Sequence, residues 1–220
     1  MSALLVPVEA IDTWSAYDAE VRRTGGTSPH EGESREDYDA RNVSLCSLGI
    51  PGEIGEVADF VKKLVFHGRV FDDAARLVLS NEIGDVLWYC SHLASTMGQP
   101  FGAYMAAMTR GTLRSTERLG VFESKAKALG AAAACRVLVV SGATVVQALY
   151  PNGADAAHDP DCSFLPCVGR IVEILRHIGS LYGITLTDAA HANVRKLRVR
   201  FPDGFTSEAA NNRVDVVTGG

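Results

Sequence analysis

Apolar residues recur at the three-to-four-residue spacing of a helix along nearly the whole chain, and stretches that alternate in the manner of strands are few. The pattern predicts a first helix over residues 8–23, followed by a polar, glycine-rich loop over 24–35. A helix starting at Ser34 or Asp37 leads through 45–49 to Pro51, where a new helix begins, because proline suits a first helical turn. That helix spans 51–66 and stops at His67 and Gly68; the next spans 72–97 and stops at Gly98. Further helices are expected over 100–118, 123–150, 164–182 and 185–201, the last opened by Thr185 with Asp188 three residues on, as in a capping box. A turn-rich segment covers 151–160, and the polar tail after Phe205 is expected to be loose. The fold class that follows is all-α, a helical bundle.

Within this pattern four acids sit where apolar residues belong. Glu53 and Glu56, and then Glu82 and Asp85, are each spaced i, i+3, an offset of about 60° around a helix, so both members of a pair share a face. Glu53 falls in line with Val57, Phe60 and Leu64, and Glu82 with Val86, Tyr89 and Leu93. These are the stripes that should face a core. One such pair is commonly a solvated helix face. Two pairs on successive helices, both on the apolar side, call for a divalent cation, since gathered carboxylates repel one another and lose hydration. An all-oxygen set suits Mg²⁺ or Mn²⁺.

Composition narrows the function classes. With 220 residues, 47% of them hydrophobic and 21% charged, the chain is ordinary for a soluble globular protein of one substantial domain or two small ones. The net charge of −5 and the lack of a basic patch argue against a nucleic-acid or membrane-surface partner. Five cysteines (Cys46, Cys90, Cys135, Cys162 and Cys167), odd in number and without a C-x-x-C, read as free thiols in a reducing cytoplasm. No signal peptide is apparent at the N-terminus. The most apolar run, 131–149, is interrupted by Arg136 and Gln147 and reads as a buried helix rather than a membrane span. The expected location is cytoplasmic.

A second constellation lies near the far end. Asn193, Lys196 and Arg200, at i, i+3 and i+7, share one helical face and offer an amide and two cations suited to a polyphosphate. By themselves they would read as a basic helix end that complements the dipole. There is also an internal similarity: residues 81–98 lie on 166–183 without a gap, with Gly84, His92, Ser95 and Gly98 falling on Gly169, His177, Ser180 and Gly183. The acids do not repeat, since Glu82 falls on Cys167 and Asp85 on Arg170. This suggests a tandem duplication with a degenerate second half, against the alternative that two amphipathic helices resemble each other by chance.

With these motifs the chain resembles the MazG-like, all-α nucleoside triphosphate pyrophosphohydrolases. The resemblance rests on G-E-I-G-E-V-A-D at 52–59, E-I-G-D-V-L-W-Y at 82–89 and N-V-R-K-L-R-V-R-F-P-D-G-F at 193–205, and covers about 42–105 and 180–205. It implies Mg²⁺-dependent cleavage of a (d)NTP to (d)NMP and diphosphate, with two or more Mg²⁺ or Mn²⁺ ions held by Glu53, Glu56, Glu82 and Asp85. A glutamate not fully engaged with metal, Glu53 before Glu56, would deprotonate the water. Lys196 and Arg200 would bind phosphates, supported by Asn193. Lys63 could also reach a phosphate, although it and Lys62 read first as solvated. Trp88 and Tyr89 read as core residues before base-stacking ones, and His67 as a helix cap.

One departure bears on the architecture. In simple members the closing motif follows the E-x-x-D helix after a short turn, whereas here Met108, Gly111 and Ser115 stand in that place. A covalent pseudo-dimer is therefore expected, with 1–120 supplying the metal ligands, 121–205 a degenerate unit ending in the phosphate-binding helix, and 206–220 a flexible tail. It would form one composite site per chain, and a homo-oligomer through helix packing stays open. Base preference is not legible. A (d)GTP preference as in some phage members, a dUTPase- or dCTPase-like specificity, a non-catalytic nucleotide-binding regulatory module and a helical scaffold with coincidental acids are the alternatives.

Overall fold

A computed structural model describes residues 13–25, 29–99, 101–109, 124–153, 159 and 162–212. Among the described residues there are eight helices and no strand, so the chain is all-α. The helices are α1 (Trp14–Thr24), α2 (Arg35–Phe66), α3 (Asp73–Thr96), α4 (Phe101–Thr109), α5 (Ser124–Leu149), α6 (Leu165–Leu181), α7 (Leu186–Arg200) and α8 (Ser207–Asn212).

Most helix starts follow from their caps. The Thr13 hydroxyl accepts from the Ala16 N–H at 3.1 Å, Ser34 from Asp37 at 3.0 Å, and the Asp72 carboxylate from Ala75 at 2.8 Å. The capping box at the start of α7 is complete: Thr185 accepts from the Asp188 N–H at 3.0 Å, and Asp188 accepts from the Thr185 N–H at 2.9 Å. Just past the ends of α3 and α6, Gly98 (φ +67°) and Gly183 (φ +68°) both adopt the left-handed conformation.

Three expectations need correction or restriction. Pro51 does not start a helix; it lies inside α2, which runs unbroken for 32 residues. Proline removes the bond to the carbonyl of Ser47, but packing on both sides of it holds the helix together. Ile50, Ile54 and Val57 are fully buried, and α5 presses on this stretch. A methyl group added at Gly142 of α5 would come within 2.9 Å of Ile54 Cδ1 and 3.6 Å of Pro51 Cα. The tail begins with a helix, α8, rather than in loose chain. Residues 8–12, 110–123 and 213–220 lie outside the described set, and with them parts of the helices expected over 8–23, 100–118 and 123–150, the boundary drawn at 120 and most of the tail.

Two helical hairpins form the centre. In the first, α2 packs against α3 through the connector 67–72; in the second, α5 packs against α6. The hairpins meet where α2 lies along α5, and α7 crosses back to pack on α3. One continuous cluster of buried side chains runs from Trp14 in α1 to Val194 in α7, so the two expected units share a core. Residues 130–149 of α5 are long and apolar enough to cross a membrane by length and composition alone. Here the segment packs along α2 and α6 with Leu138, Val145 and Leu149 buried, while Val137, Val139 and Val140 are exposed.

Candidate metal centre

The α2–α3 seam brings together residues 29 to 32 positions apart in sequence. Glu53 from α2 and Glu82 and Asp85 from α3 each present a carboxylate oxygen, and these oxygens lie within 4.8 Å of one another. All three side chains are half-buried. Among the described residues no other three His, Cys, Asp or Glu side chains converge in this way. The seam geometry follows from the stripes read in the sequence: Val57, Phe60, Val86 and Leu93, which share the acids' faces, are buried.

Glu56, the fourth expected ligand, turns outward. It is exposed and stands outside the close triad, although its charge still acts on Glu53. The i, i+3 offset that puts two side chains on one face still separates them by about 60°, enough here to divide seam from solvent. Gly52 and Gly55, on either side of Glu53, are also exposed, and a methyl group at either would meet nothing within 4 Å. The glutamate side of the seam therefore opens onto free space.

The electrostatics mark the triad as unfavourable when metal-free. Burial, and next the charge of Asp85, push the Glu53 carboxyl up to about 7, with Glu82 and Glu56 adding to the rise and Lys196 opposing it. Tyr89, half-buried over the same seam, is pushed up to about 12 by burial and then by Glu53. Its ring fits because position 49 is glycine: a Cβ there would fall 2.2 Å from Tyr89 Cε1.

The closing motif meets the acids directly. Asn193 Nδ2 donates to Asp85 Oδ1 at 2.6 Å, and Lys196 Nζ donates to Asp85 Oδ2. Residues 108 and 111 positions beyond Asp85 thus occupy both of its carboxylate oxygens. Gly84 allows this approach, because a methyl group there would lie 2.6 Å from both the Ala189 carbonyl oxygen and Asn193 Cβ. Arg200, half-buried at the end of α7, is close enough to Tyr89 for its charge to oppose the rise in the phenol's pKa. Lys63 is not part of the cluster; it pairs with Asp59 of its own helix at 2.6 Å, and Lys62 also bonds to Asp59. His67 is the C-cap of α2, its N–H donating to the Lys63 carbonyl at 3.2 Å.

Several supporting residues carried no sequence signal. Tyr17 of α1 is fully buried, and its hydroxyl lies 3.4 Å from both the Gly84 carbonyl and Asn193 Oδ1, so it fixes which way the Asn193 amide points. Glu20 of α1 is paired with Arg198 of α7 at 2.5 Å and with Arg23 at 3.1 Å, tying α1 to α7. The indole of Trp88 donates to Thr24 Oγ1 at 2.9 Å and stacks on His92 with centroids 5.0 Å apart. His92 in turn approaches Asn42 Oδ1 at 3.3 Å. Nothing but ordinary helical periodicity distinguishes Tyr17 and Glu20 in the chain, whereas Gly84 and Trp88 both lie within E-I-G-D-V-L-W-Y.

The remaining features do not compete with this site. A cavity of about 480 Å³ between α2 and α5, lined mainly by apolar residues such as Val61, Cys135 and Val139, shares no residue with the acids. All five cysteines are free, and burial pushes the Cys46, Cys90 and Cys135 thiols up, away from the reactive thiolate.

Comparison with known proteins adds one partial likeness. A stretch of 56 residues, 25% of the chain, is 38% identical to the Gene 37 protein of Mycobacterium phage L5, of which it spans 49%, about half the length. No protein-family model and no solved structure matches the chain.

Proposed function

We propose that the protein is a Mg²⁺-dependent nucleoside triphosphate pyrophosphohydrolase that converts a (d)NTP and water to (d)NMP and diphosphate. The observation that carries this reading is the meeting of its two motifs: Asn193 and Lys196 of the closing motif lie on Asp85 of the acidic one. The residues present fit a divalent ion. Three half-buried carboxylates converge within 4.8 Å, the donor atoms are all oxygen, and Glu53 is driven toward its protonated form when no cation offsets the cluster. Glu53, Glu82 and Asp85 would hold the ion, with Glu56 at the open edge available for a further one. A bound divalent ion supplies positive charge for phosphate oxygens and acidity for a water molecule.

The side chains would divide the rest of the work. A glutamate not fully engaged with the ion, Glu53 before Glu56, would accept a proton from water. Lys196 and Arg200 offer cations on the face of α7 that meets α3, and Asn193 holds the orientation of Asp85 through its amide. The free space beside Gly52 and Gly55 leaves room for a triphosphate next to the acids. The α5–α6 hairpin, whose matching positions are Cys167 and Arg170, would serve as a degenerate structural copy.

The test is a panel of ribo- and deoxyribonucleoside triphosphates incubated with Mg²⁺ or Mn²⁺ and resolved for nucleoside monophosphate and diphosphate. Those two products in equal amounts, abolished by a chelator, are expected. Release of orthophosphate in their place, or turnover that survives both Glu56→Gln and Asp85→Asn, would contradict the reading.

A further inference from the structure

Asp85 has two partners, and they differ in freedom. Asn193 is fully buried, its amide oxygen faces the Tyr17 hydroxyl, and its Cβ lies against Gly84. It cannot turn away without moving α7 from α3. Lys196 lies at the edge of the same cluster, with 17% of its side chain exposed, on a flexible four-carbon stem. Its ammonium touches the Asp85 oxygen that Asn193 leaves, and its charge also favours the ionised form of Glu53 across the seam. A cation is therefore already present among the three carboxylates, and it belongs to the protein.

Resting on the function proposed above, we infer that Lys196 is the resident cation of the metal-free site and leaves Asp85 when a divalent ion binds, becoming free for the triphosphate. An ammonium and a divalent ion on the same carboxylate oxygen repel each other at close range, so the incoming ion competes with Lys196 for Asp85 Oδ2. The displaced lysine stays tethered at the seam, where the phosphates of a nucleotide would arrive. Occupation by the divalent ion and by nucleotide are then coupled through a single side chain, while Asn193, held by Tyr17, keeps Asp85 in place throughout.

Metal binding without nucleotide tests this on the full chain. Free Mn²⁺, followed by its electron paramagnetic resonance signal, is titrated with wild type and with Lys196→Met, which keeps the stem and removes the charge. The variant should bind Mn²⁺ about 5- to 150-fold more tightly, the usual range for one coupled pair of sites. Its metal-free form should melt at a lower temperature than wild type and gain more from added Mn²⁺. Lys196→Gln should behave in the same way and guards against a packing effect of the methionine. Mn²⁺ affinity in both variants equal to or weaker than wild type overturns the inference alone. No Mn²⁺ binding by any of the three proteins overturns both the inference and the function on which it rests.

Discussion

Where α3 carries Glu82 and Asp85, the matching turn of α6 carries Cys167 and Arg170, and where α2 carries six acidic residues, α5 carries none. Both hairpins nevertheless close in a similar manner. Each joins a longer helix to a shorter one, and each second helix runs into a glycine with φ near +67°. The α5 side is filled by Ala131, Cys135 and Leu138, all buried, and it needs no counter-ion. The α2–α3 seam admits Glu53 at the cost of a carboxyl driven up to about 7. Small apolar residues are the ordinary filling of a helix seam, so the acidic seam is the departure on which the proposed chemistry rests.

The largest expected effect separates the two hairpins by activity. Asp85→Asn or Glu82→Gln should lower turnover by at least about 100-fold, since losing a residue that merely orients a metal ligand already costs 10- to 100-fold. Cys167→Ser and Arg170→Gln should leave it within about twofold. Initial rates with the preferred nucleotide decide this, and comparable losses in both hairpins would erase the contrast.

Stability should not separate them. Leu87 of α3 and Leu175 of α6 are both fully buried in the shared core, so each change to alanine should cost about 2–5 kcal/mol. Urea unfolding should remain a single transition in both variants. Two transitions would mean that the hairpins are separate cores.

Glycines give a smaller and signed effect. Gly84→Ala should destabilise by about 1–3 kcal/mol and weaken metal binding, because the new methyl group pushes Ala189 and Asn193 away. Gly55→Ala, on the same seam but facing open space, should stabilise by about 0.5–1 kcal/mol. Denaturant midpoints for the pair distinguish close helix approach from mere helix propensity.

The smallest effect is in the pH dependence of the metal-free protein. Glu53, raised to about 7, holds a proton in the fold that it would release when unfolded. It therefore favours the fold below about 4.5 and loses that contribution as pH rises to about 7. His92, lowered to about 4 by burial, acts in the opposite sense: its contribution is present above about 6.5 and lost as pH falls toward 4. The two offset each other between about 4.5 and 6.5. Melting temperatures across this range should rise with pH in Glu53→Gln and fall with pH in His92→Gln.

The chain's own pattern carried the helices and the acids further than their partners. The starts at Ser34 and Thr185 and the stop at Gly98 are local signals, and each stands where the side chain or the absence of one requires it. Pro51 misled because the proline rule is local, whereas the continuity of α2 comes from Ile50, Ile54 and the pressure of α5 at Gly142. Glu53, Glu82 and Asp85 were legible because acids on an apolar stripe violate helical patterning. Glu56 followed the same spacing yet faces solvent, a distinction that the crossing of the two helices makes and periodicity does not. Tyr17 was invisible, since its role arises only when α1 comes to rest against α3 and α7.

The divalent metal site proposed for the α2–α3 seam underlies both the proposed activity and the role of Lys196. Its most direct test is anomalous diffraction from crystals of the full chain grown with Mn²⁺. A manganese peak at about 2–2.2 Å from carboxylate oxygens of Glu53, Glu82 and Asp85 is the expected result. A peak elsewhere with this seam empty, or none at millimolar Mn²⁺, would contradict it.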